Sequence, residues 1–95
     1  MTKKAYSKWV LKNGPEQSLP GLEKYTQEQM FFINYGQLWC GKARNESMLL
    51  SIVNDAHSPG EFRILGSTSN FNEFSKAFKC SKGKRHNPEK KCSVW

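Results

Sequence analysis

The run Thr26-Gln27-Glu28-Gln29-Met30-Phe31-Phe32-Ile33-Asn34-Tyr35-Gly36-Gln37-Leu38-Trp39 begins with a helix signature and then refuses to be amphipathic. Thr26 and Gln29 have the spacing of a capping box, in which each side chain satisfies a free amide at the other's end of the first turn. Behind them Phe31, Phe32, Ile33, Tyr35, Leu38 and Trp39 spread over most of the helix circumference. That distribution predicts a helix buried on nearly all sides. A chain of 95 residues has trouble covering such a helix by itself, because small domains bury a smaller share of their surface. The helix therefore asks for a larger body around it.

On the N-terminal side, Tyr6, Trp9 and Val10 recur at helical spacing within residues 5–13. Gly14 and Pro15 end that helix, the first by tolerating a left-handed turn and the second by being unable to continue it. Residues 14–21 read as loop, punctuated by Pro15, Pro20 and Gly21. On the C-terminal side, a helix is predicted from Glu46 to about Asp55, capped by Asn45 and carrying Leu49, Ile52 and Val53 as its apolar stripe. His57-Ser58-Pro59-Gly60 reads as a turn, and Phe62-Arg63-Ile64-Leu65 as a short extended segment. The next helix has Asn70 and Glu73 as its capping pattern and Phe71, Phe74 and Phe78 on its buried face, with Ala77 between. Residues 81–95 form an irregular basic tail. The expected class is mainly α, with no internal repeat and no domain boundary between residues 1 and 95.

Fifteen Lys and Arg oppose eight Asp and Glu, giving a formal charge of +7. From Lys76 onward seven basic residues face only Glu89, so this end carries +6 of that charge. A basic tail can contact phosphates, but no recognition helix, zinc-finger spacing or aromatic RNA-binding motif accompanies it. Nucleic acid is therefore not an expected partner, and a solvated surface is the simpler account. The longest apolar runs, Met30–Ile33 and Met48–Leu50, fall far short of the roughly 20 residues that cross a bilayer. The first residues are basic but lack the apolar core of a secretory signal. The length excludes a complete multidomain enzyme.

Three cysteines, Cys40, Cys80 and Cys92, cannot all pair with one another. At least one is free, metal-bound or paired outside these residues. Asn45-Glu46-Ser47 is an N-glycosylation triplet, which matters only in the secretory pathway. Cys80, His86 and Cys92 are too widely spaced for a recognisable structural zinc site, even with Cys40 added. His57 and Arg63 are the most suggestive pair. A histidine in a turn, with Asp55 two residues before it, can be held as a donor to a substrate oxygen. An arginine beside it can grip a carbonyl or carboxylate with its fork of donors. On spacing alone a surface histidine and a salt-bridging arginine are the better account. No Ser/His/Asp or Cys/His set, phosphate-binding loop, dinucleotide fingerprint or His-Glu-x-x-His motif occurs.

Taken together, several segments resemble the C-terminal part of the neprilysin and endothelin-converting enzyme family. They are Leu19-Pro20-Gly21-Leu22, Gln29-Met30-Phe31-Phe32-Ile33, Gln37-Leu38-Trp39-Cys40 and His57-Ser58-Pro59-Gly60-Glu61-Phe62-Arg63. Asn70-Phe71-x-Glu73-Phe74, Ala77-Phe78-x-Cys80, Asn87-Pro88 and the closing Lys91-Cys92-Ser93-Val94-Trp95 continue the match in order. It runs from about Ala5 to Trp95.

The resemblance implies the C-terminal helical part of a gluzincin-type zinc metalloendopeptidase, which cleaves peptides on the amino side of hydrophobic residues. It implies one zinc ion per parent enzyme, with the metal ligands and the general-base glutamate lying upstream and no metal ligand in this chain. The isolated chain is then expected to be inactive. His57 matches the histidine that hydrogen-bonds the tetrahedral oxyanion, and Asp55 the carboxylate that orients it and favours its protonated form. Arg63 matches the arginine that grips a substrate backbone carbonyl, and Leu38 and Trp39 match residues near the hydrophobic specificity pocket. Cys40, Cys80 and Cys92 occupy positions where the family forms disulfides to cysteines earlier in the chain. Asn45 remains a glycosylation candidate outside the family pattern, and Trp95 resembles a buried C-terminal anchor. Partners are then peptide substrates and the rest of the parent chain. The parent would sit at the cell surface, through an N-terminal anchor absent here, or be secreted. The alternative from another class is a stand-alone basic secreted protein that keeps the scaffold and acts by binding.

Overall fold

The computed structural model describes residues 2–93. Among the described residues five helices follow one another: α1 (Thr2–Asn13), α2 (Gln27–Leu38), α3 (Asn45–Asn54), α4 (Gly60–Ser69) and α5 (Asn72–Ala77). Among the described residues there is no strand, only an isolated antiparallel bridge between Lys84 and Asn87. The chain is mainly helical, as its patterning predicts.

The capping box of α2 forms as expected. Thr26 Oγ1 accepts from the Gln29 amide at 3.2 Å, and Gln29 Oε1 accepts from the Thr26 amide at 3.0 Å. The same Gln29 side chain donates through Nε2 to the Ala77 carbonyl at 2.9 Å. One residue thus starts α2 and ties it to the end of α5.

Phe32 is the buried hydrophobic residue at the centre, 6% exposed. Its ring meets those of Phe31, Phe71, Phe74 and Phe78 at centroid separations of 5.4, 6.0, 5.2 and 6.3 Å. Three of these contacts are edge-on, the geometry aromatic quadrupoles prefer. Tyr6 of α1 stacks on Phe31 at 5.4 Å. α1 begins at Thr2 rather than Ala5 because Lys3 belongs to this contact. Lys3 is 7% exposed, with its Nζ 5.2 and 5.6 Å from the Tyr6 and Phe31 ring centroids and paired with Glu28. An ammonium group over aromatic faces is attracted by the ring quadrupoles while its carboxylate partner balances the charge.

Other features depart from the sequence expectations. The segment Phe62–Leu65 is not extended but lies inside α4. The second turn of its inward face is polar: Thr68 and Ser69 are buried, 3% and 9% exposed, so an apolar pattern alone stops at Leu65. Their neighbours show how helix satisfies them. Thr68 Oγ1 donates to the Ile64 carbonyl at 2.8 Å and Ser67 Oγ to the Arg63 carbonyl at 2.7 Å, the i−4 bonding that Ser and Thr offer inside helices. Asn70 caps the C-terminus of α4 instead of opening the next helix, and Phe71 precedes the start of α5. Arg44, not Asn45, is the N-cap of α3.

α2 is less covered than its composition predicts. Leu38 is 74% exposed, and Tyr6, Leu19, Leu22, Met30, Phe31 and Ile33 line an open groove of about 750 Å3. α3 has no buried residue at all.

The tail is irregular but docked. Thr68 spends its hydroxyl proton on Ile64, so His86 Nδ1 is the donor in their 3.2 Å contact and carries a proton. Ser75 Oγ donates to the His86 carbonyl at 3.0 Å, and the Cys92 amide donates to Asn70 Oδ1 at 2.6 Å. Arg85 pairs with Glu61 at 3.0 Å. The basic end is thus partly spent on specific contacts with α4 and α5. Trp95, expected as an anchor, lies outside the described residues.

Candidate functional site

The suggestive residues come from three pieces: the end of α2, the turn after α3, and the first turn of α4. Asp55 is the C-cap of α3, its amide donating to the Ser51 carbonyl at 2.8 Å. Its Oδ1 then accepts from the His57 amide at 2.9 Å, the local turn that aspartate forms with the residue two places on. The same oxygen lies 2.8 Å from His57 Nδ1. Both contacts together fix the ring's tautomer as well as its direction: Nδ1 donates to the carboxylate, leaving Nε2 as the nitrogen available to a ligand. The side chains of His57 and Asp55 are 72% and 51% exposed. Their pairing therefore contributes orientation more than stability.

The His57 amide, then the imidazole hydrogen bond, and finally the charges of His57 and Arg63 hold the Asp55 carboxyl below the usual aspartate range. A carboxylate with a depressed folded value lends its contacts to the fold above its unfolded value of about 3.9 and surrenders them as pH falls through the lower one. The Asp55 carboxyl carbon is accordingly expected to titrate below pH about 3.9 in NMR, with the His57 amide shift following it. A midpoint at or above the ordinary value would mean the turn is not held this way.

Arg63 is anchored from two sides. Its Nε donates to the Ser58 carbonyl at 2.8 Å, and its guanidinium carbon lies 4.5 Å from the Trp39 ring centroid. Among the described residues its outer nitrogens make no hydrogen bond.

Gly60 is the residue that sequence reasoning missed. It reads as half of a Pro-Gly turn, yet it opens α4 against the end of α2. A Cβ there would sit 2.6 Å from the Trp39 carbonyl oxygen, well inside van der Waals contact with a backbone atom that cannot swing away. The Gly60→Ala substitution is expected to push α4 from α2 and cost about 1–3 kcal/mol, the usual range for overpacking. Urea unfolding checks it, and an unchanged midpoint would show that the approach is not required. Only a long-range contact makes this glycine necessary, so no local pattern could have flagged it.

Leu38 takes no part in these contacts and is open to solvent. Asn45 is exposed at the start of α3. Cys40 and Cys92 are exposed and Cys80 is half-buried, all three as free thiols. Among the described residues no three His, Cys, Asp or Glu side chains converge where a metal ion could be held. The residues of this site do not fit a zinc centre of their own.

The family model described as Peptidase family M13 matches residues 2–94. The chain belongs to peptidase family M13. It is 53% identical over 91 residues to Neprilysin-2 of Drosophila melanogaster, covering 96% of this chain and 12% of that protein. It is 52% identical over 91 residues to human Endothelin-converting enzyme-like 1, with the same coverage. Against human Neprilysin the identity is 51% over 92 residues, 97% of this chain and 12% of the relative. A solved structure described as "Haemonchus galactose containing glycoprotein complex" superposes with a TM-score of 0.91 at 34% identity, covering 99% of this chain and 16% of that one. The chain thus spans about an eighth of the length of these curated M13 relatives.

Proposed function

We propose that this chain is the C-terminal portion of a zinc metalloendopeptidase domain and supplies its oxyanion donor and its substrate-gripping arginine. The supporting observation is the His57–Asp55 pair: two hydrogen bonds to one carboxylate oxygen leave a single ring nitrogen for a ligand. Membership of family M13 supports the reaction class. When water adds to the scissile carbonyl, negative charge develops on its oxygen. His57 in its doubly protonated form donates Nε2–H there, while Asp55 keeps Nδ1–H and prevents the ring from turning away. The outer nitrogens of Arg63 donate to a backbone carbonyl beyond the scissile bond, which sets the register of the peptide. Leu38 and Trp39 stand beside the hydrophobic side chain on the amino side of which the peptide is cut. Zinc, held by residues outside these 95, supplies Lewis acidity and an activated water in such enzymes.

On this reading the exposed apolar faces of α2 and α3 are covered by the rest of the peptidase. Cys40, Cys80 and Cys92 close disulfides to it, each worth about 2–4 kcal/mol. The parent works at the cell surface or after secretion, where Asn45 is open to glycosylation. Among the described residues no helix is long and apolar enough to cross a membrane.

The test is peptide hydrolysis by the 95-residue chain and by the longer polypeptide that carries it. The chain alone is expected to be inactive, and the longer form to cut hydrophobic peptides in a chelator-sensitive way. Hydrolysis by the chain alone would overturn the proposal. So would native mass and thiol counts showing a free-standing product with an unpaired or intermolecular cysteine, which would favour a binding protein instead.

A further inference from the structure

We infer that Trp39 is a positioning residue for Arg63, rather than chiefly a wall of the specificity pocket. The inference rests on Arg63 being the substrate-gripping residue. Trp39 ends α2, and Arg63 lies in the first turn of α4. Gly60 lets these two helix ends meet, since any larger residue would strike the Trp39 carbonyl. The meeting puts the indole 4.5 Å from the guanidinium carbon, while Ser58 takes Nε at 2.8 Å.

These two contacts do different things. The Ser58 carbonyl fixes one edge of the guanidinium but leaves the group free to rock about that bond. The indole attracts the cation to its electron-rich face and removes the rocking. The outer nitrogens are then presented as a pair to one acceptor, the geometry in which arginine is most selective. Trp39 is 37% exposed, so water weakens the attraction and the expected effect is moderate.

The experiment uses the full-length peptidase carrying Trp39→Leu, Trp39→Phe, Arg63→Ala and the pair Trp39→Leu with Arg63→Ala. Leucine keeps apolar bulk without the aromatic face; phenylalanine keeps a smaller face, and together they guard against a variant that simply fails to fold. Substrates differ in the side chain just after the scissile bond. Trp39→Leu is expected to raise KM about 3–10-fold, by the same factor for every side chain, with kcat changed less than about twofold. Trp39→Phe should fall between Leu and Trp. In the Arg63→Ala background the Trp39→Leu effect should vanish, the non-additivity of residues acting through one another.

A KM rise that grows with side-chain size and persists without Arg63 would return Trp39 to the pocket wall and overturn the inference. So would an unchanged KM in Trp39→Leu while Arg63→Ala raises KM. If Arg63→Ala itself leaves KM unchanged, the assignment of Arg63 fails first and the inference falls with it.

Discussion

Replacing His57 with alanine in the full peptidase is expected to lower kcat by about 10²–10³-fold, the range for losing one preorganised donor to an oxyanion. KM should move far less. The reason is geometric. Nδ1 and the amide of His57 are both committed to Asp55, so on the proposed assignment alanine removes a donor aimed at charge that appears only in the transition state. A group that bound substrate and transition state equally would instead raise KM and spare kcat. Asp55→Asn is the informative companion. Its side-chain oxygen can still accept from His57, so the ring stays roughly in place, but the negative charge beside it is gone. Its loss in kcat should therefore be smaller than that of His57→Ala. Steady-state kinetics on a single peptide separate the cases, and a His57→Ala enzyme with unaltered kcat would remove His57 from the site.

The largest expected loss of stability comes from Phe32→Ala, at about 3–5 kcal/mol. Phe32 is the residue through which α2 is joined to α5 and both of its caps: it touches Phe71, Phe74 and Phe78 as well as Phe31. Truncation removes its own buried surface and also the shared partner of four rings. Collapse around the void is hindered, because Gln29 pins α2 to the Ala77 carbonyl and holds the two helices at a fixed spacing. The unfolding midpoint in urea reads this directly. A loss under about 1 kcal/mol would mean that the rings close over the gap.

What the sequence made legible follows the kinds of force involved. The start of α2 was readable because a capping box is a local exchange of hydrogen bonds. The helix around Phe74 was readable because apolar periodicity reports burial, although Phe71 and Phe78 cap α5 rather than lie within it. α4 was not, since Thr68 and Ser69 occupy its inward face and satisfy themselves through hydroxyl bonds that hydropathy cannot register. The tail looked like solvated charge, yet His86, Arg85 and Cys92 find partners 18, 24 and 22 residues away. Such pairings depend on tertiary proximity. At the candidate site, His57, Asp55 and Arg63 came from family resemblance joined to sound chemistry, and the structure adds how they are held. The Trp39–Arg63 stack and the need for glycine at position 60 arise from the meeting of two helix ends, which no single segment announces.

The bare faces of α3 have a colloidal consequence. Leu49, Leu50, Ile52 and Val53 are 60–79% exposed, so two free chains that touch there gain by sticking. What keeps such chains dispersed is their like charge of +7, which acts through solvent over a screening distance of about 8 Å at physiological salt and about 3 Å at 1 M. In isolation such chains are expected to be held apart by electrostatic repulsion in dilute buffer and to coalesce as salt screens it.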